Sequence, residues 1–182
     1  MTIRNLDAMF RPRSITLIGA SQRENSVGAV LARNLFQGGF DGPVMPVNPK
    51  HAHIQSVPTY PDIQALPTVP DLAIIATPPD AVPGLIGELG ALGTKAAVVI
   101  TAGFGEGDDP KGRALKQAML DAAKPHLLRI IGPNCLGILV PALGLNASFA
   151  ETAAQPGRLA FVAQSGAVVT SVIDWAGSRG IG

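Results

Sequence analysis

Apolar runs alternating with segments of helical period predict an α/β fold: a doubly wound parallel sheet with helices on both faces. Three observations carry that expectation. The runs at 14–20, 43–47, 71–76, 95–101 and 127–131 are short and apolar, as buried parallel strands are. The stretches between them are long enough for crossover connections. Every run ends in small or polar residues, which is where an open parallel sheet binds its ligand.

In chain order, the run 14–20 reads as a buried strand ending in Gly19 and Ala20. An amphipathic helix is predicted over about 26–37, with Val27, Val30, Leu31 and Leu35 on one face and Gly38-Gly39 as its stop. The second strand, 43–47, holds Pro43 and Pro46 at positions that suit a strand edge or end. Residues 48–70 are loop-rich, with a short strand expected near Val57 and a turn of helix near Asp62. The third strand, 71–76, leads through Pro78-Pro79-Asp80 into a helix reaching about Leu92, striped by Val82, Leu85, Ile86 and Leu89 and ended by Gly93. After the fourth strand, 95–101, Asp109 and Pro110 read as N-cap and first position of a helix that turns Leu115, Ala118, Met119 and Ala122 inward. The fifth strand is 127–131.

The first domain is therefore expected to span 1–140. Residues 141–157 read as a polar, small-residue connection. A strand at 158–163 and a helix from Ser165 to about Ser178 are expected to begin a second domain, since one such pair cannot bury both faces of a sheet.

Composition narrows the function classes. The chain has 182 residues, 47% hydrophobic and 15% charged, so it can build a sizeable core. A formal net charge of +1 argues against nucleic-acid binding through bulk electrostatics. No apolar run approaches the roughly 18 residues of a membrane helix, and the first residues carry Arg4, Arg11 and Arg13 without a signal-like apolar stretch. One cysteine excludes an internal disulfide framework and fits a reducing, cytoplasmic setting. Low charge on an apolar chain further suggests a surface covered by other domains or subunits, hence an oligomer.

The strand ends locate the chemistry. The first loop runs from Gly19, Ala20 and Ser21 to Val27 and Gly28 and aims a helix N-terminus at the crevice, a setting that favours phosphate. It is not the dinucleotide G-x-G-x-x-G, because the second glycine is missing. The second strand ends in Asn48-Pro49-Lys50, with a lysine where that fingerprint wants an acid. A nucleotide phosphorylated on both sides of its ribose suits such an end; NADP and coenzyme A both qualify, and Lys50 also fits an ordinary solvated loop. Thr77, Pro78 and Pro79 form a rigid apolar wall or simply a helix start. Thr101, Ala102 and Gly103 begin a glycine-rich turn that permits close backbone approach or is an ordinary loop. Cys135, in Gly132-Pro133-Asn134-Cys135-Leu136-Gly137, reads as a pocket-lining residue rather than a nucleophile. Ser165 and Gly166 read as an anion site at a helix N-terminus, since His51, His53 and His126 all precede the serine and a hydrolase triad of that order is excluded. No metal site is assembled around His51 and His53.

Taken in order, Ile18-Gly19-Ala20-Ser21 with Gly28, Pro46-Val47-Asn48-Pro49-Lys50, Ala76-Thr77-Pro78-Pro79, Ile100-Thr101-Ala102-Gly103-Phe104, Gly132-Pro133-Asn134-Cys135-Leu136-Gly137 and Gln164-Ser165-Gly166-Ala167 resemble the N-terminal CoA-binding region of the NDP-forming acyl-CoA synthetases. That superfamily includes the ADP-forming acetyl-CoA synthetases, the alpha subunit of succinyl-CoA synthetase and protein acetyltransferases carrying the same region. The resemblance covers nearly the whole chain. It implies a Rossmann-like CoA-binding domain followed by the start of a flavodoxin-like second domain. It implies that the loop of Gly19, Ala20, Ser21, Val27 and Gly28 cradles CoA phosphate, that Asn48 and Lys50 approach the phosphorylated ribose, and that Thr77, Pro78 and Pro79 flank the nucleotide. Thr101, Ala102, Gly103, Asn134 and Cys135 would then lie along the pantetheine arm, and the helix after Ser165 and Gly166 would face a phosphohistidine.

The implied reaction is acid, CoA and ATP to acyl-CoA, ADP and phosphate. The family's phosphohistidine lies beyond the Gln-Ser-Gly motif, and no histidine here matches it. An ATP-grasp domain or subunit, with the ATP, ADP and Mg it handles, is expected as a partner. The chain is expected to bind CoA or acyl-CoA and to contribute no catalytic residue. Two other readings follow from the same residues: the CoA-sensing region of a protein acetyltransferase, and the cofactor domain of an NADP-dependent oxidoreductase.

Overall fold

The computed structural model describes residues 3–182, so Met1 and Thr2 of the expected first domain lie outside it. A short helix, α1 (Leu6–Phe10), precedes the sheet; five residues are too few to show a period in the sequence. It is held by its flanks. Asn5 Nδ2 donates to the Leu127 carbonyl at 2.9 Å, and Arg129 Nε donates to the Arg4 carbonyl at 2.7 Å.

The parallel sheet contains β1 (Ile15–Ile18), then α2 (Val27–Gln37) and β2 (Val44–Val47). A small antiparallel pair follows, β3 (His53–Ile54) and β4 (Val57–Pro58). The sheet resumes with β5 (Leu72–Ile75), α3 (Val82–Leu92), β6 (Ala96–Val99), α4 (Pro110–Ala123) and β7 (Arg129–Ile131). Its order is β2-β1-β5-β6-β7, all parallel, as the alternation predicted. The chain leaves β1 toward β2 and returns on its other side at β5. That reversal makes the carboxyl ends of β1 and β5 the topological switch point.

Side-chain alternation divides the core between two faces. Ile15, Leu17, Leu72, Ile74, Ala96 and Val98 pack with Leu31, Ala32 and Leu35 of α2 and with Met9 of α1. Ala73, Ile75, Ala97 and Val99 pack on the other face with Val82, Ile86 and Leu89 of α3 and Met119 and Ala123 of α4. The predicted stripes need small corrections. Val27 is 42% exposed, and on α4 it is Ala123 rather than Ala118 that is buried. The caps match the sequence: Ser26 accepts from the Ala29 N–H, Asp109 from those of Lys111 and Gly112, and Gly93 ends α3 at φ 105°.

Beyond β7 the structure departs from expectation. An antiparallel hairpin, β8 (Gly137–Val140) and β9 (Leu145–Ser148), completes the α2 face of the sheet. Half of it lies inside 141–157, which reads as a polar connection. Leu145 and Ala147 are buried, and Asn34 Nδ2 donates to the carbonyls of Ser148 and Ala150 at 2.8 and 2.9 Å. A residue pair so small reveals its burial only once α2 is beside it.

The strand expected at 158–163 does not form. The segment carries no strand and is exposed throughout, and no strand among the described residues pairs with it. The helix after it does form, as α5 (Gly166–Gly177), which buries Ile173 against Leu136 and Ala150. The chain then comes back to its starting point: the N–H groups of Arg158 and Leu159 both donate to the Gly182 carbonyl. No helix among the described residues is long and apolar enough to cross a membrane.

Candidate binding site at the carboxyl edge of the sheet

Five loops leave the carboxyl ends of the strands, and direct contacts join them into one rim. Gly19 adopts φ +94°, and a Cβ there would lie 2.6 Å from the Ala76 carbonyl oxygen. Gly28 is closer still, since its Cβ would fall 2.1 Å from the Gly19 carbonyl oxygen. Both glycines therefore let α2 and the β5 loop press against the β1 loop. Asn48 Nδ2 donates to the Ala20 carbonyl at 2.7 Å, and Asn48 Oδ1 accepts from the N–H groups of Lys50 and His51. On the other side, Thr101 Oγ1 donates to the Thr77 carbonyl at 2.7 Å, and the Asn134 N–H donates to the Thr101 carbonyl at 2.9 Å. A Cβ on Gly103 would touch Pro79 at 3.2 Å.

The rim thus gathers Gly19, Ala20, Gly28, Asn48, Thr77, Pro79, Thr101, Gly103 and Asn134. Both ends of the Asn48 amide are engaged within the chain, so Asn48 braces the first two loops. Thr77 keeps its Oγ1 buried without a partner among the described residues. Ser21 takes the Arg23 N–H on its hydroxyl and helps shape the first loop. Ser165 is exposed and caps α5 by accepting from the Val168 N–H. It makes no hydrogen bond to the rim among the described residues, but Gly166 stands against Leu136, the residue after Cys135, and a Cβ on Gly166 would lie 3.5 Å from it. The α5 N-terminus therefore lies beside the β7 end of the crevice.

The two ends of the crevice differ in charge. Lys50 and Arg23 are exposed at the β1–β2 end, and neither pairs with an acid among the described residues. The N–H groups of Val27 and Gly28 open α2 and have no acceptor within the helix. At the β6–α4 end the acids are already engaged. Asp80 pairs with Lys111 at 3.0 Å, Asp108 with Arg113 at 2.7 Å, and Asp109 caps α4. Glu106 Oε2 accepts from the Gly103 and Phe104 N–H groups at 2.9 and 2.8 Å. Sequence reasoning overlooked Glu106; its signal was an acid set among Gly103, Gly105 and Gly107, all at positive φ.

Cys135 is not built for nucleophilic work. Its thiol donates to the Val99 carbonyl at 3.3 Å, and burial pushes its pKa up to about 11. The thiolate needed for attack is scarce at neutral pH. His126 packs against Gly90 at the amino end of β7, on the far side of the sheet from the rim.

Comparison with known proteins identifies the family. A family model described as CoA binding domain matches residues 13–141. The ADP-forming acetate–CoA ligase I of Archaeoglobus fulgidus is 37% identical over 177 residues, covering 97% of this chain and 25% of the ligase. The alpha subunit of the ADP-forming acetate–CoA ligase I of Pyrococcus furiosus is 34% identical over 175 residues, covering 94% of this chain and 38% of that subunit. Among solved structures, the dinucleotide-forming acetyl-coenzyme A synthetase 1 of Ca. Korarchaeum cryptofilum in complex with phosphate and ADP superposes with a TM-score of 0.89 at 34% identity, over 97% of this chain and 38% of that one. The chain spans about a quarter to two-fifths of the length of these relatives. Of the two doubly phosphorylated nucleotides that the β1 and β2 loops admit, the family match falls on coenzyme A rather than NADP: the chain belongs to the CoA binding domain family, and its relatives are ADP-forming CoA ligases.

Proposed function

We propose that the chain binds coenzyme A or an acyl-CoA along the rim, as the CoA-binding portion of an ADP-forming acyl-CoA ligase. The phosphates lie over the β1–β2 end, on the N–H groups of the Gly19-to-Gly28 loop and near Lys50. The uncharged arm runs past Thr77, Pro78 and Pro79 to Thr101, Ala102, Gly103, Asn134 and Cys135, toward the N-terminus of α5 at Ser165 and Gly166. The charge difference between the two ends supports this direction above all. Open donors and unpaired cations suit phosphate at one end, while the acids of the other end are satisfied within the chain.

Acyl transfer in this reading needs a phosphohistidine and an ATP-grasp partner supplied from elsewhere. His51, His53 and His126 are not placed to serve: the first two are exposed at β3 and the loop before it, and the third lies at the amino end of β7, the opposite edge of the sheet from the rim. Calorimetric titration with CoA and with dephospho-CoA tests the binding claim. CoA is expected to bind, and to bind more tightly than the form lacking the ribose phosphate. No heat at millimolar CoA would overturn the reading; equal affinity for the two would remove the assigned role of Lys50.

A further inference from the structure

Glu106 occupies an unusual place for an exposed acid. It follows the glycine-rich turn after β6 and folds back onto it, so that one carboxylate oxygen takes two consecutive backbone donors, Gly103 N–H and Phe104 N–H. Successive N–H groups converging in this way form a nest for an anion. Here the anion is the chain's own. Slight burial raises the carboxyl pKa, but hydrogen bonds from the Glu106, Gly103 and Phe104 N–H groups and from the Asn134 side chain outweigh it and hold the group below its ordinary value.

The partners of Glu106 matter more than its charge. Gly103 touches Pro79, and Phe104 is buried in the core beneath the turn. Asn134 sits at φ +52° on the β7 loop, with its backbone N–H on the Thr101 carbonyl. Glu106 therefore closes the β6 turn on itself, and that turn meets the β7 loop through the Asn134 N–H on the Thr101 carbonyl and the β5 loop through Gly103 against Pro79. Without Glu106 two adjacent backbone donors lose their acceptor together. Such a loss loosens the wall at 101–104 and 132–135 but reaches neither the β1 loop nor Lys50.

We propose that Glu106 is a positioning residue for the pantetheine arm: it fixes the β6 turn that lies against the β5 and β7 loops and leaves the nucleotide end untouched. This rests on the CoA reading above. The test compares two ligands, CoA and adenosine 3′,5′-bisphosphate, which keeps the nucleotide phosphates and lacks the arm. Glu106→Ala is expected to weaken CoA about tenfold or more and to leave the bisphosphate within twofold of the wild type. Glu106→Gln, which keeps an amide oxygen as acceptor, is expected to recover most of the CoA affinity. Unchanged CoA binding by Glu106→Ala would overturn the proposal. So would equal weakening of both ligands, which would make Glu106 a general support of the fold. A wild-type chain that binds neither ligand would instead remove the CoA reading itself, and the proposal with it. Amide shifts of Gly103 and Phe104 give an independent readout: they are expected to move strongly in Glu106→Ala, and unmoved shifts would refute the nest.

Discussion

Two glycine-bearing loops leave the same edge of the sheet and treat their backbone donors in opposite ways. The loop after β1 spends its glycines on close approach: Gly19 and Gly28 have no room for a Cβ, and the start of α2 keeps donors without an internal acceptor. The loop after β6 also turns on glycines, at 103, 105 and 107, but fills its donors with Glu106 and its helix start with Asp109. A glycine-rich turn at a strand end is therefore not in itself a phosphate site. What decides is whether the chain supplies its own carboxylate.

The comparison can be broken most sharply at Gly28. Adding a methyl group drives Cβ into the Gly19 carbonyl, so Gly28→Ala is expected to destabilise the fold by about 2 kcal/mol and abolish CoA binding. A denaturant midpoint with a parallel titration measures both, and a variant that folds and binds normally would show that the close approach is dispensable. Lys50→Ala comes next. Losing one exposed cation near a phosphate is expected to weaken CoA by about tenfold at low salt, less at high salt, and to leave dephospho-CoA unchanged. A uniform loss for both ligands would place Lys50 elsewhere on the nucleotide.

The smallest effect belongs to Cys135. With its pKa pushed up to about 11, the thiol stays protonated from pH 7 to 9, so alkylation by iodoacetamide is expected to be slow and CoA affinity flat across that window. Rapid labelling at pH 7 would mean that the thiol is freer than its bond to the Val99 carbonyl allows. Glu106 titrates in the opposite sense. Its folded pKa is depressed, so its contribution is fully present at neutral pH and fades only as pH falls below the ordinary carboxylate value toward the lower folded one.

The segment at 158–163 teaches a different lesson from the sheet strands. Ile15–Ile18 and residues 158–163 look alike as short apolar runs, yet only the first is a strand. β1 has β2 and β5 beside it to take its backbone bonds, and no strand among the described residues stands beside the later run. The five sheet strands were legible because each carries its own apolar run and turn signal. The hairpin of β8 and β9 was hidden, since Leu145 and Ala147 are too few to show a pattern and pack with the α2 side of the core. At the rim, Gly19, Gly28, Asn48, Thr77, Thr101 and Asn134 were legible by their place at strand ends. That Asn48 braces the first two loops, and that Glu106 turns back onto its own loop, depends on side-chain hydrogen bonds that no spacing predicts.

Sequence alone determined the parallel order of strand and helix, the caps at Gly93 and Asp109, and the edge of the sheet where small and polar residues gather. These depend on local periodicity and on what each residue does to its own backbone. Only the tertiary structure decided which loop keeps its donors open and which apolar run becomes a strand. Both outcomes turn on a partner distant in the chain or on a side chain folding back, and a hydrogen-bond donor is free or filled only once its neighbours are in place.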